Sequence, residues 1–135
     1  MTTMTTMLRP PLPVSALDLL ARAHRGLLEA ELARTSEDRY VAAHLAALRA
    51  AAAVLAVRGR PSRRGPTNVW DVLPRVAPEL AEWAAFFAAG ASRRASIEAG
   101  RTDAVSAREA DDLMRDGHTF VGLVTDILGI GRPML

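Results

Sequence analysis

The last third of the chain has the clearest periodic pattern of apolar and polar positions. Apolar or small residues recur there every three or four positions, which is the spacing of one buried helix face. These residues are Ala110, Leu113, Met114, Gly117, Phe120, Val121, Val124, Ile127 and Leu128. Ser106 and Glu109 have the spacing of a capping box, and Gly129 is a typical helix stop. The pattern therefore predicts a final helix over residues 106–129.

Two antiparallel helices are predicted in the first half. The first runs from Ser15, with Asp18 as its capping partner, to about Ala33. The second runs from a capping residue at Thr35 to Arg58. The connection between them is only a few residues long, which is typical of neighbouring antiparallel helices. The predicted apolar stripe of the first helix consists of Leu17, Leu20, Leu27 and Leu28, with His24 inside it.

The middle of the chain predicts a loop and two more helices. Residues 59–68, GRPSRRGPTN, are rich in helix breakers and arginine and predict an Arg-rich loop. A short helix follows over 69–76. Pro78 suits the first turn of a longer helix that ends near Gly100. The predicted fold is all-α, a compact bundle of four main helices plus one short helix. The domain occupies residues 14–130, between a disordered N-terminal arm at 1–13 and a C-terminal tail at 131–135.

The composition supports this fold and excludes several classes of site. Of 135 residues, 26 are alanine, the best helix former, while aromatic residues are only 4%. The absence of cysteine excludes disulfides and thiolate metal sites. The chain shows no secretory signal pattern, and its longest unbroken apolar run, residues 50–57, is too short to span a bilayer. These features predict a cytoplasmic protein that does not enter a membrane.

Charge is unevenly distributed along the sequence. All seventeen basic residues are arginine, and the net charge is only +2. No acid lies between Asp38 and Asp71, whereas residues 98–116 contain six acids and three arginines. Such asymmetry can attract an anionic partner, or pair an acidic patch of one subunit with a basic patch of another.

Several segments resemble a known family. RYVAAHLAALRAAAAVLAVRG, PELAEWAAFFAAG and EADDLMRD are similar to an actinobacterial branch of the HEPN (higher eukaryotes and prokaryotes nucleotide-binding) superfamily. The resemblance covers residues 15–130. It implies a bundle of four to five helices that is often dimeric. Many HEPN domains are metal-independent endoribonucleases in toxin–antitoxin, defence or RNA-processing systems, whereas others have lost catalysis and serve in binding.

The catalytic signature of that superfamily is an arginine, four to six residues, and a histidine. Histidine can exchange protons near neutral pH, and arginine can stabilise charge on a phosphate. Arg39 and His44 have this spacing, but they begin the second helix, whereas the superfamily usually places the motif near the last one. Arg115 and His118, in the later region, are too close together. Arg39 and His44 are the candidate catalytic pair, although about 140° of helix rotation separates them.

Other interpretations stay open for each candidate. His44 and His24 both suit a core or interface position on their helices. Arg58, Arg60, Arg63 and Arg64 are candidate nucleic-acid contacts, or simply the solvated residues of a loop. The acids Glu79, Glu82, Asp111 and Asp112 could form catalytic carboxylate pairs, but a solvated face or inter-helix ion pairs with Arg93, Arg94 and Arg108 are the expected arrangement. No metal or cofactor motif is recognised.

Two functions therefore follow from the sequence. The preferred one is a non-catalytic or decayed HEPN-like domain, which acts by homodimerisation and by binding RNA or a partner protein. The alternative is a metal-independent endoribonuclease, of a toxin or RNA-processing type, that uses Arg39 and His44. Neither requires a cofactor, and the sequence leaves enzymatic activity undecided.

Overall fold

The helices lie close to their predicted positions. The computed structural model describes residues 12–59 and 68–130. Within these ranges the helices are α1 (Val14–Leu32), α2 (Ser36–Arg58), α3 (Val69–Val76), α4 (Ala81–Glu98) and α5 (Ala107–Ile127), and a 3-10 turn, Pro78–Leu80, precedes α4. The described residues contain no strand, so the all-α prediction is confirmed. The predicted arm up to residue 11, loop residues 60–67 and the tail at 131–135 lie outside the described residues.

Three of the predicted helix starts can be compared with the structure. Thr35 accepts a hydrogen bond from the Asp38 amide, and Ser106 forms the full capping box with Glu109. The predicted cap at Ser15 is wrong. The first helix begins one residue earlier, after Pro13, whose carbonyl accepts from the amides of Ala16 and Leu17. Asp18 instead forms an ion pair with Arg22.

Helix α2 is the centre of the bundle and packs against all four other α-helices. Its inward positions are mostly alanine and are fully buried. Such small side chains allow neighbouring helices to approach closely, and glycines on those neighbours allow a still closer approach. A Cβ atom at Gly26 of α1 would lie 3.2 Å from the Ala46 Cβ, and one at Gly117 of α5 would lie 3.5 Å from the Ala43 carbonyl oxygen.

The buried face of α1 differs from the predicted leucine stripe. Leu20 and Leu27 are buried, but Leu17 and Leu28 are 45% and 57% exposed. The reason is that small residues face the alanine surface of α2. Ala16, Ala23, Gly26 and Ala30 are the other buried residues of α1.

Helix α2 also satisfies the length and composition of a membrane span. Half of its apolar window is buried within the domain, and a core helix of a folded protein meets the same criterion.

A second apolar centre lies beside α2, where aromatic rings from α3, α4 and α5 pack together. Trp70 and Phe120 lie 5.2 and 5.1 Å from Phe87 between ring centroids.

Candidate functional site

His44 lies at the junction of α2 and α4, and its side chain is fully buried. Its Nε2 atom is 2.8 Å from the Phe87 carbonyl oxygen, and its Nδ1 atom is 3.2 Å from Arg94 Nη1. A carbonyl can only accept a hydrogen bond and a guanidinium can only donate one. We therefore assign the neutral tautomer, in which Nε2–H donates to Phe87 and Nδ1 accepts from Arg94.

The surroundings of His44 favour the uncharged ring. Burial lowers its pKa by removing water from the charged form, and the nearby Arg94 charge lowers it further. The bond to the Phe87 carbonyl and the charge of Glu98 act in the opposite direction, but the net shift is downward. The rings of Tyr40, Trp70 and Phe87 lie about the imidazole with centroid distances of 6.3, 6.1 and 6.0 Å. The interpretation of His44 as a core residue is thus confirmed.

Arg39 belongs to a different environment. Its Nε donates to the Ala30 carbonyl at 3.0 Å and its Nη2 to the Ala33 carbonyl at 3.2 Å, at the C-terminal end of α1. Its Nη1 lies 2.6 Å from the Asp111 carboxylate on α5. Arg39 therefore joins three helices. The hydrogen bonds of Arg39 and those of His44 go to separate groups, and the catalytic role of the pair stays a prediction.

The arginine that contacts His44 is Arg94, fifty positions further along the chain. Its Nη1 holds the imidazole, while its buried Nε has no hydrogen-bond partner and lies 3.5 Å from Glu98. The motif spacing could not identify this pair because the contact joins two different helices. Arg94 was expected instead to pair with the acids of the last helix.

Of the remaining charged candidates, Arg58, Glu79, Asp111 and Asp112 form ion pairs. Arg58 donates to Glu79 at 2.8 Å, and this hydrogen bond is the main cause of the lowered pKa of the Glu79 carboxyl. Arg60, Arg63 and Arg64 lie outside the described residues. On α5, Asp112 pairs with Arg115 on the same helix, and Asp111 pairs with Arg39. Neither Asp111 nor Asp112 pairs with Arg93, Arg94 or Arg108, so that part of the expectation is wrong, whereas the exposed position of Asp112 agrees with a solvated face, the other arrangement expected. Arg93 pairs with the capping residue Glu109 instead.

The two other histidines lie on the surface rather than in the core. His24 is exposed, and its Nε2 is 3.3 Å from the Thr125 hydroxyl of α5. Of the two positions expected for His24, core or interface, the core position is wrong, because this part of α1 faces the edge of the bundle. His118 lies 3.1 Å from Glu31. Across residues 12–59 and 68–130, no group of three His, Asp or Glu side chains is arranged to hold a metal ion.

A groove separates α4 from the N-terminal half of α5. Its volume is about 780 Å³, and the Arg93–Glu109 ion pair lies within it. Tyr40 of α2 also lines it. A second cleft of about 380 Å³ adjoins the groove and shares Phe86 and Asp116 with it. This groove could not be predicted from the sequence, because it depends on how far apart α4 and α5 pack on α2.

The carboxyl group of Asp116 lines both cavities and has a raised pKa. Burial raises its pKa, and the negative charge of Asp112 one turn earlier raises it further, against a smaller opposing effect of Arg115. Asp116 therefore carries a partly desolvated negative charge at the point where the two cavities meet.

The described residues form an all-α bundle of five helices around a central alanine-rich helix, which is the architecture expected of a small helical domain of the HEPN class. Sequence comparison agrees with this assignment. The model of the SAV_6107-like HEPN family matches residues 30–125, which extend from the end of α1 nearly to the end of α5. The chain belongs to this family. No curated protein and no solved structure shows significant similarity to it.

Proposed function

We propose that this protein is a non-catalytic HEPN domain that acts by forming a homodimer and binding a partner protein. One observation carries the proposal: His44 is fully buried, and both of its ring nitrogens are occupied by bonds within the domain. A general base needs a free nitrogen within about 3 Å of the proton that it removes. His44 offers substrate neither access nor a free lone pair.

The arginine of the candidate pair is equally occupied. All three guanidinium nitrogens of Arg39 form hydrogen bonds with α1 or α5. To bind a phosphate, Arg39 would have to give up bonds that hold these helices together. Charge-assisted hydrogen bonds are about twice as strong as neutral ones, so this exchange is unfavourable. Both residues are therefore better explained as parts of the framework.

A partner protein suits the described surface better than RNA does. Of the candidate arginines that the structure describes, Arg58 is paired with Glu79 and Arg39 with Asp111, so either would have to leave an ion pair to bind a phosphate backbone. The groove between α4 and α5 is lined by four carboxylates and two arginines, a balance that disfavours phosphate. It is also lined by exposed Phe86, a type of side chain common in protein interfaces. Exposed aliphatic residues on α1 provide a separate surface for dimerisation.

An RNA cleavage assay tests the non-catalytic assignment. The purified protein is incubated with unstructured and hairpin RNA in the presence of EDTA, beside His44→Gln, Arg39→Ala and the surface control His118→Gln. We expect no cleavage above the protein-free blank in any sample.

Metal-independent cleavage that is lost in His44→Gln and Arg39→Ala, but kept in His118→Gln, would instead establish the endoribonuclease. Circular dichroism of each variant shows whether a loss reflects unfolding. Tight RNA binding without cleavage, measured by fluorescence anisotropy, would show that the partner is RNA rather than a protein.

A further inference from the structure

We propose that the cleft lined by Glu82, Trp83, Phe86 and Asp116 binds a guanidinium group, presented by an arginine side chain of the partner protein. This inference rests on the proposed function and adds the chemistry by which the partner is recognised. The cleft is formed by the first turns of α4 and the middle of α5, about 380 Å³ in volume. None of its four residues belongs to the Arg39–His44 candidate site.

The aromatic part of the cleft is held in a fixed shape. Trp83 and Phe86 meet edge to face, with centroids 6.3 Å apart and planes at 88°. Behind them, Trp83 stacks on Phe87 at 5.9 Å and lies 5.6 Å from Phe120, both of which are fully buried. Phe86 remains 45% exposed. A ring supported on one side and open on the other can receive a cation on its face without rearrangement.

The cleft also carries negative charge that is not neutralised by a direct ion pair. Glu82 and Asp116 both line it. Neighbouring acids of α5 are paired, since Asp112 lies 3.0 Å from Arg115 and Glu109 lies 2.8 Å from Arg93. Within residues 12–59 and 68–130, no arginine lies within ion-pair distance of Glu82 or Asp116. A cation from outside the domain would complete this arrangement.

Guanidinium fits this combination better than a metal ion or an ammonium group does. A hard divalent cation needs six or more oxygen ligands, whereas half of this cleft is aromatic. An ammonium group is strongly hydrated and compact. Guanidinium is planar and weakly hydrated, stacks on aromatic faces and donates paired hydrogen bonds to carboxylates.

The adjoining groove indicates that the arginine belongs to a polypeptide. The cleft opens into the larger cavity of about 780 Å³ through their shared residues, Phe86 and Asp116. Glu109, Asp112 and Asp116 are spaced three and four positions apart, so they form an acidic row on one face of α5. A segment that places one arginine in the cleft can therefore continue along the groove beside this row.

Peptide binding tests the inference with the intact protein. The probe is a fluorescein-labelled twelve-residue peptide of alternating arginine and leucine, measured by anisotropy. The control peptide has citrulline in place of arginine, because citrulline keeps the shape of arginine but lacks its charge. We expect the citrulline peptide to bind at least about 10-fold more weakly, and Asp116→Asn and Phe86→Ala to weaken the arginine peptide about 5- to 20-fold each. Asp71→Asn, an exposed acid on α3, is the control and should leave affinity unchanged.

Two results would overturn the inference: equal binding of the two peptides, or equal losses in Asp116→Asn and Asp71→Asn. Either result reflects failure of this cleft alone, because the RNA cleavage assay tests the non-catalytic assignment independently. If the cleft fails while no cleavage is seen, the proposed function stands and the partner binds elsewhere.

Discussion

His44 shows how one buried polar side chain can be fixed by two neighbours of opposite character. The Phe87 carbonyl requires a proton on Nε2, and the Arg94 guanidinium requires a lone pair on Nδ1. A second proton on the ring would point at a positive charge. The neutral tautomer is therefore the only form that satisfies both contacts, which agrees with the lowered pKa of His44.

This arrangement predicts that the folding free energy depends on pH through His44. The unfolded chain binds a proton on this residue near pH 6.5, whereas the folded protein binds one only at lower pH. The unfolded state thus holds more protons below pH 6.5, and stability must fall as the pH decreases from that value towards the folded pKa. Urea unfolding at about pH 7.5 and about pH 5 should show this loss in the wild type.

His44→Gln is the matched variant for that measurement. Its amide nitrogen can still donate to the Phe87 carbonyl, but it does not titrate. We expect the variant to be less stable at neutral pH by about 1–3 kcal/mol, because the Arg94 contact is lost. Its stability should also depend less on pH than that of the wild type. Identical pH slopes in the two proteins would contradict the assigned protonation state.

At the residue level, the sequence singled out Arg39 and His44 but not the residues that they contact. The spacing of Arg39 and His44 identified them as candidates, and helix geometry predicted that they lie on different faces of α2. Nothing in the spacing could show that Asp111 and Arg94 are their partners, because these contacts join distant parts of the chain. Arg94 was unremarkable in the sequence and became informative only through the packing of α4 on α2.

At the level of the helices, periodicity and capping signals were sufficient for most boundaries. The capping box at Ser106 and the apolar face of α5 were both correct. The leucine stripe of α1 failed because the sequence cannot show that its neighbour presents alanines. Against such a flat surface, a glycine or alanine gives closer contact than a leucine, so Ala23 and Gly26 are buried while Leu28 is exposed.

The packing of α4 on α2 predicts that a residue larger than glycine at position 90 destabilises the protein. A Cβ atom there would lie 2.7 Å from the Tyr40 hydroxyl oxygen, a distance that requires the buried tyrosine to shift. Overpacking costs about 1–3 kcal/mol, and the better helix propensity of alanine offsets about 1 kcal/mol of it. Gly90→Ala should therefore lower the free energy of unfolding by up to about 2 kcal/mol, measured by urea denaturation.

A double-mutant cycle separates this contact from a general intolerance of alanine. In a Tyr40→Phe background the obstructing oxygen is absent, so Gly90→Ala should cost little or nothing. Gly117→Ala is the control on α5, where the nearest atom to the new Cβ is 3.4 Å away, an ordinary contact. It should be neutral or stabilising by up to about 1 kcal/mol. Equal losses from Gly90→Ala with and without the Tyr40 hydroxyl would show that the contact is not the cause.

At the level of the whole molecule, the all-α class and the HEPN family followed from sequence alone, whereas the groove and the exposed surfaces did not. Both depend on distances between helices that are set by side-chain size at their contacts. The small residues of α2 bring α1 and α5 close to it, and the large rings of Trp83, Phe87 and Phe120 fill the space between α4 and α5. The groove lies where that filling ends.

The outer face of α1 predicts how two molecules associate. Val14, Leu17, Leu28 and Leu32 are between 45% and 81% exposed. At 100° per residue, these four positions lie within about 60° of one another, so they form one stripe along the helix. Ala21 lies on the same stripe, near its middle, and is small enough for a second helix to approach. Two copies that pair antiparallel through this stripe would also bring Asp18 of each near Arg25 of the other.

We therefore expect the purified protein to be a dimer at micromolar concentration, and Leu28→Glu to convert it to a monomer in light scattering after size exclusion. The substitution places a charge in the middle of the shared stripe, where it would be buried without a partner in the dimer. It should leave the circular dichroism unchanged, because Leu28 makes little contact within the monomer. Val57→Glu, at an exposed position on α2, is the matched control and should remain dimeric. A wild-type monomer, or a dimer that survives Leu28→Glu, would place the association elsewhere or exclude it.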